Sequence, residues 1–358
     1  MNPERIKKVQ KLIADNGYDV IICTDMSSIS YLIDVAPSHM MERLFALAVP
    51  RSGKPKLFVN SLYRIPESEN YDVEYHSDDD IPTSGLAGYI SGTKVGVDKF
   101  MMAKFLLALM DERKDVEFSI GSFIIDEARM IKDKDEIEAM RYASRVNDMV
   151  FALIPGMLEE GMTETELADK LAREYVRLGD PDNPPEPLVC FGEGSAEPHH
   201  TNSNRKLRSG DVVLVDSGQR TFGYFSDTTR TFFFRSITEE QEKVYRIVRE
   251  ANRLAREAIR PGARFCDIDR AARDYIASQG YGEFFTHRLG HCIGRDDHEE
   301  PSVALNNDAV IRPGTCFSVE PGIYLHGRFG VRVEDVILVT EYGYEQLVHA
   351  SKDIIVVK

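Results

Sequence analysis

Apolar residues recur at helical spacing at Ile6, Val9, Leu12 and Ile13, and Asn16-Gly17 ends that period, so the chain opens with a helix. Asp19 to Cys23 is then a short apolar run of the kind a buried strand makes, and Leu44 to Val49, Lys56 to Val59 and Lys94 to Val97 repeat it. Met102 to Asp111 returns to a helical period. Short apolar strands alternating with helices predict an α/β layer over residues 1–125, with a mostly parallel or mixed sheet.

Near Asp126 the texture changes. IDEARMIKDKDEIEAMRYASRVNDMVFALI is a long, charged, amphipathic stretch, and the domain boundary falls on its approach. A second helix follows Thr163, which with Glu166 forms a capping-box pair ahead of Leu167 and Leu171. A third starts at Thr238 with Gln241 three residues on, buries a face running from Val244 to Ala258, and is closed by Pro261-Gly262. Between these two helices lie a Pro- and Gly-rich loop, Pro181 to His200, and then strand signals at Asp211 to Ser217 and Asp227 to Phe234. A fourth helix, Asp267 to Gln279, precedes a His-rich segment and a last block of strands, Cys316 to Val357. Strands grouped apart from helices predict an α+β domain over residues 126–358.

Length and composition fit that division. A chain of 358 residues has the size of two domains, and 42% hydrophobic with 29% charged residues can build two cores. The formal net charge of −15 sets up a field that repels nucleic acid and anionic membrane surfaces. The amino-terminal residues lack a signal-peptide pattern, and no apolar run approaches the length of a membrane span. Five cysteines without a CxxC pair point to a reducing compartment, so a cytoplasmic protein is expected.

The acidic residues carry the candidate chemistry. In VLVDSGQRTFGYFSDTTRTFFF, a hairpin turning between Thr221 and Phe222 sets Asp216 opposite Asp227. In VEPGIYLHGRFGVRVED, a hairpin about Gly327 sets Glu320 opposite Glu334. Ionised carboxylates roughly 5 Å apart repel one another, so each pair calls for a proton or a cation. HRLGHCIGRDDHEEP, between the two hairpins, offers His287, His291 and His298, with Gly290 and Gly294 allowing close backbone approach.

The order Asp, Asp, His, Glu, Glu within DSGQRTFGYFSDTTRTF, HRLGHCIG, SVEPGIY and GVRVEDV resembles the pita-bread metallopeptidases, in particular the Xaa-Pro dipeptidases (prolidases) and aminopeptidases P. The first domain resembles theirs more loosely, through YDVIICTDMSSISYLIDV and MERLFALAVP. The resemblance implies a creatinase-like N-terminal domain, a pita-bread catalytic domain and two divalent ions held by Asp216, Asp227, His291, Glu320 and Glu334. Four carboxylates and one imidazole suit Mn2+ or Co2+, with Fe2+ or Zn2+ as alternatives. It further implies that His199 faces the substrate and His298 stabilises the tetrahedral intermediate. Glu320 would pass a proton to the leaving nitrogen, and His287 and Arg332 would line the pocket, where Arg332 either holds a carboxylate or orients Glu334. A homodimer is also implied.

Two departures from the family pattern bear on substrate. Cys292 follows His291 where the pattern has Gly, and Glu193 and Glu197 make the loop before His199 acidic. The expected reaction is hydrolysis of Xaa-Pro dipeptides. The alternatives are an aminopeptidase P acting on longer Xaa-Pro peptides, or a metal-dependent hydrolase or lyase of small metabolites.

Overall fold

In the computed structural model, residues 3–35 and 42–358 are described, and the chain divides into two compact units, Met1–Arg129 and Met130–Lys358. The expected boundary at 125/126 falls within a helix. The charged stretch around it is two helices rather than one, because Asp133 caps a new helix through a reciprocal capping box with Glu136.

The first unit runs α1 (Pro3–Asp15), β1 (Val20–Cys23), α2 (Met26–Ile33), β2 (Phe45–Pro50), β3 (Lys56–Asn60) and β4 (Asp72–His76). It continues through α3 (Ser84–Tyr89), β5 (Lys94–Val97), α4 (Ala103–Glu112), β6 (Glu117–Ile120) and α5 (Ser122–Met130). Its strands form one mixed sheet in the order β4-β3-β2-β1-β5-β6, antiparallel only where β2 meets β1 and β3. The uninterrupted apolar runs follow from burial on both faces. Ile21 and Cys23 pack with Ile6, Val9 and Ile124, while Val20 and Ile22 pack with Leu86, Phe105 and Leu109.

The second unit begins with α6 (Lys134–Met157) and α7 (Glu164–Leu178), then β7 (Leu188–Phe191), β8 (Val212–Ser217), β9 (Arg220–Thr221), β10 (Tyr224–Phe225) and β11 (Thr228–Phe234). After α8 (Glu239–Ala258) and α9 (Phe265–Ser278) come β12 (Gly290–Cys292), β13 (Glu299–Val303), β14 (Cys316–Val319), β15 (Gly322–Leu325) and β16 (Phe329–Arg332). β17 (Asp335–Val339), β18 (Tyr344–Gln346) and β19 (Val356–Val357) close it. α6 and α7 cover the sheet β19-β11-β8-β7, with Val150, Leu171 and Tyr175 packed against Val213, Val215 and Phe232. α8 and α9 cover the sheet β13-β12-β14-β17-β18 and the ribbon β15-β16, with Val248, Ala251 and Ala272 against Phe317, Val331 and Ile337. Both expected capping boxes, Thr163 with Glu166 and Thr238 with Gln241, open their helices.

The two hairpins fared differently against expectation. The turn between β9 and β10 lies at Phe222-Gly223, one residue later than the sequence reading placed it, and Asp216 therefore pairs with Thr229 rather than Asp227. The reason is that Phe222 adopts a left-handed conformation (φ 52°) beside Gly223 (φ 81°), which sequence alone does not suggest for a phenylalanine. Moving the turn by one residue shifts the register by two, an even number, so Asp227 keeps the face of Asp216 and stands diagonally from it. Gly218 is required here: a Cβ would lie 1.7 Å from the Ser226 carbonyl oxygen. In the second hairpin, β15–β16 and β14–β17 share one register on either side of Glu320 and Glu334, placing those two opposite each other between the ladders.

Candidate metal centre

Each ligand candidate sits where a strand ends or a ladder breaks, which frees its side chain from the sheet. Asp216 is near the end of β8, and Asp227 immediately precedes β11. His291 is the middle residue of β12, beside a bulge in the β12–β13 register. Glu320 and Glu334 occupy the gap between two ladders, and their backbone N–H groups donate to Leu289 and Thr229 carbonyls instead. A Cβ on Gly290 would stand 2.0 Å from the Ser318 carbonyl oxygen, so a glycine there lets β12 close on β14.

Ligand atoms of Asp227, His291 and Glu334 lie within 4.8 Å of one another, and all three residues are buried. Glu320 joins through its Oε1, 3.3 Å from His291 Nε2, while Asp227 Oδ2 is 3.8 Å from that same nitrogen. Asp216 shares a pocket wall with Asp227 and is held by Arg332 Nη2 at 2.5 Å.

Burial and crowding set the charge states. Asp227 is pushed well above the usual carboxylate range, first by burial and then by the charges of Glu334, Asp297, Asp216 and Glu320. Glu334 is raised likewise, by burial and by Glu320 and Asp216, with Arg332 and Thr229 opposing. Burial works against ionised Glu320 too, but the hydrogen bond and charge of His291 outweigh it and bring its carboxyl down to about 2. His298 is lowered to about 4 by burial and by His291 and Arg288, so it is neutral at pH 7.

One atom exposes what the protein side chains leave undone. Glu334 accepts from Thr229 Oγ1 at 2.7 Å through Oε2, but its Oε1 is buried without a hydrogen-bond partner. A buried carboxylate oxygen in that state is costly unless something positive meets it. Asp227, His291 and Glu334 are hard oxygen and nitrogen donors, and both carboxylates are repelled toward protonation, a combination that fits a divalent cation.

This predicts an unusual pH response. Asp227 and Glu334 hold protons in the folded state that the unfolded chain releases near pH 4, so metal-free stability should fall as pH rises above about 5. Glu320, lowered to about 2, has the opposite sign, but its contribution grows only up to the unfolded glutamate value of about 4.3 and is nearly complete at pH 5. Saturating divalent metal should remove the slope and stabilise by about 2.7 kcal/mol at a hundredfold excess over Kd. Thermal melts at pH 5 and pH 8, with chelator and with Mn2+ or Co2+, check this. A metal-free melting temperature independent of pH contradicts it.

The other expected residues fall into two groups. His298 stacks against His291, ring centroids 3.9 Å apart, and so adjoins the centre. His287 donates or accepts at Tyr324 Oη, 2.9 Å away. Arg332 is fully buried and spends its nitrogens on Thr229 Oγ1 (2.8 Å), Tyr324 Oη (2.9 Å) and Asp216, which is the arrangement of an orienting cation. His199 is exposed and no side-chain hydrogen bond joins it to the centre among the described residues. Cys292 is buried in the apolar core, outside the ligand group, and burial pushes its thiol up. Glu193 is exposed and lies 4.0 Å from Arg205, and Glu197 reaches His200 at 3.5 Å, so these acids engage neighbouring side chains.

Four residues escaped the sequence reading. Thr229 and Tyr324 stand two positions along the strand face from Asp227 and Gly322, so period-two alternation was the signal available for them. Ser318 accepts from His291 N at 3.0 Å and bonds Glu320 Oε1 at 3.2 Å. Asp297 lines a pocket of about 260 Å³ with Glu186, Leu188, Phe225, Asp216 and Asp227.

Two hairpins and a short strand that bring carboxylates and an imidazole into one buried nest define a candidate divalent-metal protein. The comparisons with known proteins narrow this. Residues 138–341 match the model for metallopeptidase family M24, and residues 5–131 match the creatinase/prolidase N-terminal domain. The chain belongs to metallopeptidase family M24. It is 36% identical over 356 residues to a probable dipeptidase PepE from Mycobacterium bovis, covering 96% of this chain and 93% of that protein. The solved prolidase from Thermococcus sibiricus superposes with a TM-score of 0.92 at 35% identity, covering 99% of both chains. The Xaa-Pro dipeptidase from Bacillus anthracis does so with a TM-score of 0.89 at 28% identity, covering 99% of this chain and 100% of that one. No helix among the described residues is long and apolar enough to cross a membrane.

Proposed function

We propose that the protein is an Xaa-Pro dipeptidase that uses two divalent ions, Mn2+ or Co2+ by preference, held by Asp216, Asp227, His291, Glu320 and Glu334. The observation that carries this reading is the buried nest of Asp227, His291 and Glu334, with its unpartnered Glu334 oxygen, inside a chain that matches prolidases end to end. When bound, such ions activate water and polarise a carbonyl.

The chain's own groups supply the rest. Glu320 is the ionised carboxylate closest to His291, and it takes the proton from the attacking water and delivers it to the leaving nitrogen. His298 is neutral at working pH and its Nε2–H donates to the oxygen that becomes negative in the tetrahedral state. Arg332 fixes Asp216 directly and Glu334 through Thr229, so two ligands hang on one rigid guanidinium. His287, tied to Tyr324, and His199 complete the substrate-facing groups. We place the enzyme in the cytoplasm as a homodimer, for which light scattering at micromolar concentration is the check.

A metal-by-substrate panel tests the reading. Xaa-Pro dipeptides should be cleaved with Mn2+ or Co2+, and dipeptides without proline much more slowly. Equal or faster cleavage of Xaa-Pro-Yaa peptides would instead make the enzyme an aminopeptidase P. Absence of any peptide cleavage across the panel would point to small-metabolite chemistry. The pocket beside Asp216 is lined by Glu186 and Asp297 and, among the described residues, by no lysine or arginine, so Lys-Pro and Arg-Pro should be preferred to Glu-Pro.

A further inference from the structure

The turn Ile293 to His298, Ile-Gly-Arg-Asp-Asp-His, carries Asp297 and His298 to the centre, and within it the Gly294 N–H donates to the Asp296 carbonyl at 3.1 Å. Glu299 ties that turn to the body of the domain. One carboxylate oxygen, Oε1, accepts from the backbone N–H of Arg295 at 2.8 Å and of Asp296 at 3.3 Å. The other, Oε2, accepts from Lys132 Nζ at 2.8 Å, and both side chains of this ion pair are almost wholly buried. Lys132 is itself fixed at the entrance to α6, where its backbone N–H donates to the Gly314 carbonyl at 2.9 Å. Gly294 makes room for the pair: a Cβ there would stand 2.8 Å from Glu299 Oε1 and 2.9 Å from Lys132 Nζ. The far side of the turn is closed by the Phe225 N–H, which donates to the Gly294 carbonyl at 2.7 Å, and by Arg295 lying over the Tyr224 ring.

A buried lysine–glutamate pair is a poor source of net stability, because desolvating two charges offsets most of their attraction. Its geometric effect is large, since each partner tolerates only a narrow range of positions. Here the fixed partner is Lys132 and the positioned one is Glu299, the residue directly after His298. The geometry points to Lys132 and Glu299 as positioning residues for catalysis: their ion pair anchors the turn that stacks His298 on His291. Neither residue belongs to the ligand group, and the inference rests on the peptidase reading only for the role of His298.

Two variants test it in the metal-loaded enzyme. Lys132→Met should lower kcat 10- to 100-fold with KM and bound metal unchanged, in the range that loss of a residue supporting a metal site produces. It should also lower the melting temperature, because buried Glu299 loses the Lys132 ammonium. The double variant Lys132→Met/Glu299→Gln removes that buried charge while keeping a carbonyl oxygen for the Arg295 and Asp296 amides. It should recover the melting temperature and not kcat. Recovery of kcat together with stability would make the pair a purely structural element and overturn the inference. Hydrogen exchange gives a readout independent of substrate: the Arg295 and Asp296 amides should lose protection in Lys132→Met. Wild-type protection in that variant overturns the anchoring itself. Failure of the wild-type enzyme to cleave any peptide would count against the peptidase reading and leave the exchange result to decide the anchor.

Discussion

Asp227→Asn is expected to abolish hydrolysis, by on the order of 10³-fold or more, while making the metal-free protein more stable. The two halves have one cause. Asp227 lies buried among Glu334, Asp297, Asp216 and Glu320, and its pKa is driven up by burial and by those charges. In the absence of metal that concentration of negative charge opposes folding, and an amide of the same shape relieves it. We expect a rise of a few degrees in melting temperature, roughly 1 kcal/mol or more. With metal the sign reverses, because the same charge is what neutralises the ions, and a neutral amide is a far weaker partner for a hard cation. A thousandfold loss corresponds to about 4 kcal/mol of transition-state stabilisation. Melts with and without Mn2+, beside steady-state rates and elemental analysis, read both halves. Retention of full activity would remove Asp227 from the metal centre, and a lower metal-free melting temperature would refute the repulsion argument.

Arg332→Lys is expected to lower kcat by about 10- to 100-fold with KM nearly unchanged. Lysine preserves the charge but replaces a planar fork by a single point donor. Arg332 uses three separate nitrogens to reach Thr229, Tyr324 and Asp216, and a lysine can satisfy only part of that set. Thr229 would then be free to turn, and Glu334, which takes its hydrogen bond, would lose its fixed orientation. Unfilled buried acceptors should cost about 1–3 kcal/mol of stability. The split between kcat and KM decides between the two roles open to this arginine. A raised KM with normal kcat would mean that it grips the substrate carboxylate after all.

Much of the architecture was legible because it depends on local signals. The strand Val20–Cys23 reads as buried on both faces because all four of its residues are apolar, and they do pack into two separate clusters. Thr163 with Glu166 and Thr238 with Gln241 announced two helix starts, since a capping box is a contact within four residues. Glu320 and Glu334 could be placed opposite each other because Gly327, at φ 70°, makes the turn that the sequence advertises. The first hairpin was misplaced by one residue for the converse reason. Phe222 takes a left-handed conformation that is uncommon for a phenylalanine, and its ring lies tilted against Tyr142 of α6, centroids 5.0 Å apart, a contact far away in sequence.

By itself, then, the sequence determined the two-part fold class, the helix starts and the identities of the carboxylates and imidazole that gather at the centre. The fold class and the helix starts follow from periodicity and capping, which act over a few residues, whereas the choice of the ligand set, His291 above all, followed from the resemblance of the motifs to the pita-bread metallopeptidases. The tertiary structure alone decided the diagonal offset of Asp216 and Asp227, the capture of Arg332 by Thr229, Tyr324 and Asp216, and the burial of Cys292 away from the ligands. It also decided the tie between Lys132 and Glu299, which are 167 residues apart. Such contacts depend on how separate strands and helices pack, and burial then sets their strength by removing the water that would otherwise screen each charge.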